Sequence, residues 1–499
     1  MTKRNKITLL LAAFLLVCGC SDFEEINVNP NNPPTVPANL LLPTVISTAV
    51  SSMTGSGNGA AGQFIQHINY IGGSNESFGR FNITGASFRE EWNAPMRSVK
   101  DINKILDIAE KNNQPQYKAL GLICKVYVLS LMTNEAGKGD VSGLEFPHYQ
   151  EQKEVYRLML ADLETANQLL KSLKADATIS DDILFNGDAV KWRKYANSLK
   201  VRILMRQSAK KDVSADIAAI FNNAQEYPVF TSIDDQATLV YNNTVDFYKW
   251  YIQPKNLPSD GSGVIFGDNF RVSEAIVDAL QTKDDPRLPV YVAPTKHSFE
   301  AHRANASVPF VYRGQPAGLS AAEQNEIDKD DYSVLSSTIR SESRAFVMTF
   351  AELQFLKAEA IIRGMITGNA ADEYAKGIRA SMQKWAAISS DDVDVYLARP
   401  DVALNTAQNE ALKQIGTQAW IDSFLNGFEA FANWRRTGYP ELKVGTSVSS
   451  AIPVRYIYSD NEQNNPNLIS WTNEKIGRMV NETDMVWFQP QKWNTNVNR

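Results

Sequence analysis

Residues that carry the common chemistries are scarce. Four histidines (His67, His148, His297, His302) and three cysteines are spread over 499 residues. No HExxH, CxxC or P-loop spacing joins them, which removes the usual zinc, redox and nucleotide motifs, and no cofactor is called for. Basic runs are also missing, and acidic residues outnumber basic ones by 56 to 50. A chain without a cationic track is a poor phosphate binder, so nucleic acid is excluded as a partner. Long apolar runs are absent too: Ala119 to Met132 is interrupted by Lys125 and is shorter than the roughly 20 residues of a spanning helix. What is plentiful is apolar and aromatic surface. Hydrophobic residues make up 43% and charged residues 21%, a globular balance, and the length allows two to four ordinary domains or one large one. With 9 Trp, 18 Tyr and 22 Phe, more rings are available than a core strictly requires.

The amino terminus carries an address. Lys3, Arg4 and Lys6 precede an apolar run from Ile7 to Val17, the charged and hydrophobic regions of a secretory leader. The run ends in Val17-Cys18-Gly19-Cys20. A small residue before a cysteine resembles the bacterial lipobox, and Gly19 makes Cys20 a better acylation site than Cys18, which follows bulky Val17. The expectation is a signal peptide over residues 1–19, a lipidated Cys20, and an extended tether over residues 20–38 that is rich in Pro and Asn. At roughly 3 Å per residue such a tether holds the body tens of ångströms from the bilayer. Loss of three leader cations from a chain of net charge −6 leaves the mature protein near −9. Cys124 then stands alone, so no internal disulfide can form and stability must come from the core. The acidic cluster Asp22, Glu24 and Glu25 resembles the surface-export signal of Bacteroidota lipoproteins. A protein anchored by lipid in the outer membrane and facing the exterior is expected.

Helical periodicity dominates the body. Val99, Ile102, Ile105, Leu106 and Ala109 share one face, Asn112 to Pro115 break the pattern, and Tyr117 to Leu131 resume it. Further helices are predicted from about Gln152, from Asp188 as a cap, over Phe350 to Arg363, and over Asp372 to Trp385. Strand signals are short, as at Ala237 to Val240. The reading is a mostly α fold: tetratricopeptide-like (TPR-like) hairpins form a scaffold beside a large irregular, loop-rich half, in one domain over residues 39–499. The 34-residue repeat is not kept, so the likeness is to the hairpins only. Loop insertions are expected at about 226–270 and 288–344, where Tyr, Phe, Asn, Pro and Gly are frequent and helical patterns few. Long irregular segments of this kind are usually functional or disordered, and their aromatic content argues for function.

Ordered motifs then give a family likeness. Trp192-Arg193-Lys194-Tyr195, Asp284-Asp285-Pro286-Arg287-Leu288, Phe350-Ala351-Glu352-Leu353, Phe424-Leu425-Asn426-Gly427-Phe428, Trp434-Arg435-Arg436-Thr437-Gly438-Tyr439-Pro440, Ile452-Pro453-Val454-Arg455-Tyr456 and Val486-Trp487-Phe488 follow one another as in the SusD/RagB lipoproteins of Bacteroidota. The chain resembles that family over nearly its whole length. The resemblance implies TPR-like helices supporting an irregular ligand-binding half, a place on the outer membrane over a SusC-like TonB-dependent transporter, and delivery of glycan, or for some members peptide, into it.

The shared motifs read as scaffold. Arg435 and Arg436 are expected to tie helices through carboxylates such as Glu352 and Glu359, and Trp192, Tyr195, Trp385 and Trp420 to fill the core. Ligand contact is expected where aromatics escape helical spacing. Four rings in the five residues Phe247-Tyr248-Lys249-Trp250-Tyr251 cannot all point inward from a strand. Tyr248, Trp250, Tyr251 and nearby Asn256 therefore form one candidate. Tyr70, Asn75, Phe78, Arg80 and Phe81 around Gly72-Gly73 form a second. Tyr312, in Tyr312-Arg313-Gly314-Gln315-Pro316, is a third, more in keeping with a structural turn. The acidic run Asp328 to Asp331 is weak evidence for a calcium site. A surface glycoside hydrolase is the rival reading, disfavoured because no motif sets carboxylates on a barrel or jelly-roll scaffold.

Overall fold

A computed structural model describes residues 36–55, 57–71, 76–81, 83, 88–139, 142, 149–174, 177–241, 263–267, 269–445, 452–459, 464–467 and 485–490. The leader, Cys20 and its tether as far as residue 35, Asn75, and the Tyr248 to Asn256 candidate lie outside the described residues.

Helical hairpins are laid side by side. Helices α1 (Ala38–Thr54), α2 (Arg89–Lys111), α3 (Pro115–Ala136), α4 (Gln152–Lys171) and α5 (Ala189–Gln207) each pack on the next, although the chain between α1 and α2 is long. After α6 (Ser214–Asn222), α7 (Glu274–Gln281) and α8 (Lys296–Ala304), the array resumes with α9 (Phe350–Ile362) and α10 (Ala370–Gln383). It ends with α11 (Ser390–Leu397), α12 (Gln408–Asp422) and α13 (Gly427–Thr437). Helix α9 packs on α5, α10 and α12, so chain segments about 150 residues apart build one layer.

Local chemistry accounts for the boundaries. Pro115 occupies the first turn of α3, where its missing N–H costs nothing, and Gly137 closes the helix in the left-handed conformation at φ 87°. Asp188 accepts hydrogen bonds from the amides of Val190 and Lys191 at the start of α5. Helix α3 is longer and more apolar than the periodicity indicated, long and apolar enough to cross a membrane. In that apolar stretch 94% of the residues are buried inside the protein, so its composition is that of a central core helix. Gly121 lets α2 approach it: a Cβ there would lie 2.8 Å from a Leu106 methyl.

Among the described residues the strands form three antiparallel pairs. Strand β1 (Ile68–Tyr70) pairs with β5 (Phe270–Val272), β2 (Lys138–Gly139) with β3 (Gln150–Glu151), and β4 (Ala237–Val240) with β6 (Arg344–Met348). The segment at 288–344 departs from the expected loop. It contains α8 and the short helices Leu288–Tyr291, Ala321–Glu326 and Ser337–Ser341. They are too brief to show a 3.6-residue period, and caps define three of the four: Thr295, Ser320 and Ser336 each accept a backbone amide.

Trp192, Tyr195, Trp385, Trp420 and Trp434 are all buried, and one large apolar core runs from Ala38 to Phe488 with two small clusters beside it. Charges are buried within it as well. Arg202 of α5 forms a two-pronged pair with Glu352 of α9 at 2.5 and 2.6 Å, and Arg206 pairs with Glu429 of α13. Arg435 bonds Glu135 of α3 at 2.9 Å, and Arg436 grips both oxygens of Glu359 at 2.5 and 2.7 Å. Glu359 is thus the carboxylate partner of the Trp-Arg-Arg motif, as anticipated, while Glu352 serves Arg202 instead. The Asp-Pro-Arg motif works similarly. Buried Arg287 holds Asp285 and donates to Ser381 of α10 and Gln418 of α12.

Removing one member of such a pair leaves a charge stranded in the core. Arg436→Ala is expected to cost about 3–5 kcal/mol, read as a lower urea midpoint, whereas Glu359→Met with Arg436→Leu should recover most of the loss. Burial raises the affinity of Glu359 for a proton, but Arg436 and Arg363 outweigh it and hold the pKa at about 2. A carboxylate depressed on folding contributes stability above its unfolded pKa of 4.5, and that contribution is lost as pH falls from there towards 2. Acid titration of wild type against Glu359→Gln should therefore show the two stability curves converging below about pH 4.5.

Candidate functional site

A cleft of about 580 Å³ opens between α7 and α12, with the end of α11, the following turn and the strap Pro440–Lys443 closing its sides. This volume falls within the range of small-ligand sites. Its walls follow from helical spacing. On α7, Glu274 and Asp278 are one turn apart, as are Ala275 and Ala279, giving a face of small and acidic residues that leaves room beside it. On α12, Glu410, Lys413, Gln414 and Thr417 line the opposite wall. Trp420, Ile421, Leu442 and Tyr396 supply apolar surface at the base.

The base is held rigidly. Trp420 donates from its indole nitrogen to the Ile65 carbonyl at 2.9 Å, and its own carbonyl lies 3.1 Å from Nε2 of buried His67. Burial drives the His67 pKa down to about 3, so the imidazole is neutral. Gln418 presents its side chain from below, with its oxygen taken by Arg287 at 2.6 Å. The Arg287 clamp of the core therefore also orients a cleft residue. At the rim Lys283 pairs with Asp401 at 3.1 Å and Lys413 with Glu441 at 3.4 Å.

The sequence candidates fall elsewhere. Phe78 and Phe81 are core residues, 5% and 4% exposed, each packed edge-on against Phe64 at 6.2 Å. The expectation that they meet ligand is corrected: their rings are spent on the core. Tyr70 is half-buried in β1, its carbonyl accepting from Gln324 at 2.6 Å. Arg80 is half-buried beside them. Tyr312 is half-buried against the core, and the segment after it is structural. Gln315 exchanges backbone hydrogen bonds with Val272 and Glu274, and Arg313 lies 4.9 Å from the ring of buried Tyr332. The acidic run is likewise engaged. Asp330 pairs with Lys296 at 2.7 Å and Asp328 with His297 at 3.0 Å. His297, Asp328 and Asp331 bring three ligand atoms within 4.8 Å of one another, but an imidazole does not suit the all-oxygen shell of calcium.

Two features escaped the sequence reading. The cleft walls come from residues 274–283 and 396–443, with Gln66, and nothing in the linear order joins them. An exposed ring, Phe310, lies on the loop after α8, beside half-buried Phe299 of that helix. Phe299 stacks near-parallel on exposed Phe310 at 6.4 Å and lies 5.3 Å from Phe266. Phe299 and Phe310 flank a helix end, and isolated rings at that spacing give no sequence cluster.

Helical hairpins that hold a polar-rimmed cleft over an apolar base are the architecture of a ligand-binding protein. The chain belongs to the SusD-like family described as "starch-binding associating with outer membrane", which matches residues 30–459. No curated protein matches it. Solved structures share its fold. A SusD homologue from Bacteroides fragilis has 23% identity and a TM-score of 0.76, covering 92% of this chain and 100% of its own. One from Bacteroides uniformis has 23% identity and a TM-score of 0.75, covering 90% and 99%. A chitin-binding SusD homologue from Flavobacterium johnsoniae has 23% identity and a TM-score of 0.72, covering 90% and 98%.

Gly314 decides where α7 starts, because a Cβ on it would sit 2.4 Å from the Glu274 backbone. Gly314→Ala is expected to push α7 off its seat at a cost of about 1–3 kcal/mol. A thermal melt would register the loss, and an unchanged melting temperature would show that the wall is not held there.

Proposed function

We propose that this protein is a cell-surface nutrient receptor, anchored in the outer membrane through acylated Cys20, that captures an oligosaccharide and passes it to a partner TonB-dependent transporter. The cleft carries the reading. A pyranose presents apolar C–H faces and a rim of hydroxyls, and the cleft offers an apolar base ringed by carboxylate, amide and hydroxyl groups. Nothing around it requires bond cleavage: capture needs only complementary surface and a way to release. Family membership supports the outer-membrane setting, the Gly19-Cys20 junction supports the anchor, and the resemblance to SusD/RagB lipoproteins supports the transporter.

Tethering explains how a modest site suffices. A receptor held at the bilayer meets its transporter in an effectively intramolecular encounter, so docking needs little intrinsic affinity. Ligand trapped between the two gains contacts from both.

The test separates the cleft from the aromatic run at 247–251. Ala279→Trp places a large ring on the α7 wall and is expected to abolish oligosaccharide binding in titration calorimetry, with circular dichroism unchanged. Trp250→Ala with Tyr251→Ala should weaken binding less. Binding retained in the first variant and lost in the second would move the site to that run, and turnover of any glycan by the purified protein would replace the receptor reading with an enzyme.

A further inference from the structure

We infer that the cleft between α7 and α12 prefers oligosaccharides bearing free amino groups, an inference that rests on the oligosaccharide-binding role proposed above. The cleft carries acceptors that have no matching donors. Five carboxylates (Glu274, Asp278, Asp401, Glu410, Glu441) and three ammonium groups (Lys283, Lys413, Lys443) line the cleft. Lys283 is engaged by Asp401 and Lys413 by Glu441, and Arg399 holds Asp401 further at 3.1 Å. Glu274, Asp278 and Glu410 are left with no ion pair or side-chain hydrogen bond among the described residues, against one unengaged cation, Lys443.

A buried group adds to this excess. Gln66 is 3% exposed and lines the cleft. Its amide nitrogen donates to the Lys443 carbonyl at 2.5 Å, which fixes the orientation of the amide and leaves its oxygen with no partner among the described residues. That oxygen is not fully enclosed, and a ligand that displaces water from it must supply a donor in its place. The cleft therefore offers a surplus of acceptors, three of them anionic.

Ligand chemistry follows from that surplus. A hydroxyl donates once and also accepts, so a neutral glycan satisfies the carboxylates only in part. An ammonium group supplies three donors, no acceptor and a positive charge, and hydrogen bonds between ionised partners are roughly twice as strong as neutral ones. Within a partly enclosed cleft they are also less screened than on open surface. Acidic glycans would meet like charge. The apolar base formed by Trp420, Ile421 and Leu442 suits the C–H face of a pyranose, which favours a 2-amino sugar oligomer over a lysine-bearing peptide.

Titration calorimetry of the purified full-length chain in detergent, with the tetramer of glucosamine, the tetramer of N-acetylglucosamine and cellotetraose, tests this directly. At low salt the glucosamine tetramer should bind at least ten-fold more tightly than the other two, and the gap should narrow as salt is raised. Glu274→Gln with Asp278→Asn should cut glucosamine affinity by a larger factor than affinity for the acetylated tetramer, closing the gap between the two. Equal affinity for all three sugars, or preference unaltered in the double variant, would overturn the inference while leaving oligosaccharide capture in place. Binding of tetralysine with no binding of any sugar would overturn both.

Discussion

Buried arginine–carboxylate pairs are the constraint around which this fold is arranged. Arg202 and Arg206 on α5, Glu352 and Glu359 on α9, Glu429, Arg435 and Arg436 on α13, and Glu135 on α3 place charges where water cannot reach them. A charge in that position is tolerable only with its partner at hydrogen-bond distance. Each pair joins helices that are far apart in sequence, Arg202 and Glu352 by 150 residues. An apolar core accepts many packings of similar volume, whereas these pairs penalise every packing that separates them. That is why an array without a regular repeat still closes in one way.

The cleft inherits its geometry from the same source. Arg287, tied to Asp285, reaches both Ser381 and Gln418 and so sets α10 and α12 against the segment that follows α7. The small face of α7 then stands off from α12 instead of packing into it. A binding space thus arises where two rigid parts meet, supported by residues that no ligand touches. Such support would serve the proposed receptor role, because affinity is lost when binding must first order the site.

Sequence reasoning was strongest where one signal repeats along a contiguous stretch. The helices of the scaffold, the cap at Asp188, the strand Ala237–Val240 and the structural part played by Trp192, Trp434 and Glu359 were all legible, because periodicity and buried-charge logic act locally or through distinctive motifs. Phe78 and Phe81 misled for a definable reason. Aromatics set in a Gly-rich stretch look exposed, yet Phe81 takes a left-handed backbone conformation at φ 57° that accompanies its burial against Phe64. The short helices of 288–344 went unseen because four to nine residues cannot display a period, although Ser320 and Glu323 form a capping box that a closer search for caps would have found.

The sequence by itself determined the helical character and the family, since each depends on neighbours in the chain or on motifs kept in order. Only the tertiary structure brought the walls of the cleft together. Gln66, Glu274, Asp278, Glu410 and Lys443 span most of the chain, and whether a carboxylate is paired, or an amide oxygen is left without a donor, depends on distances that folding alone creates.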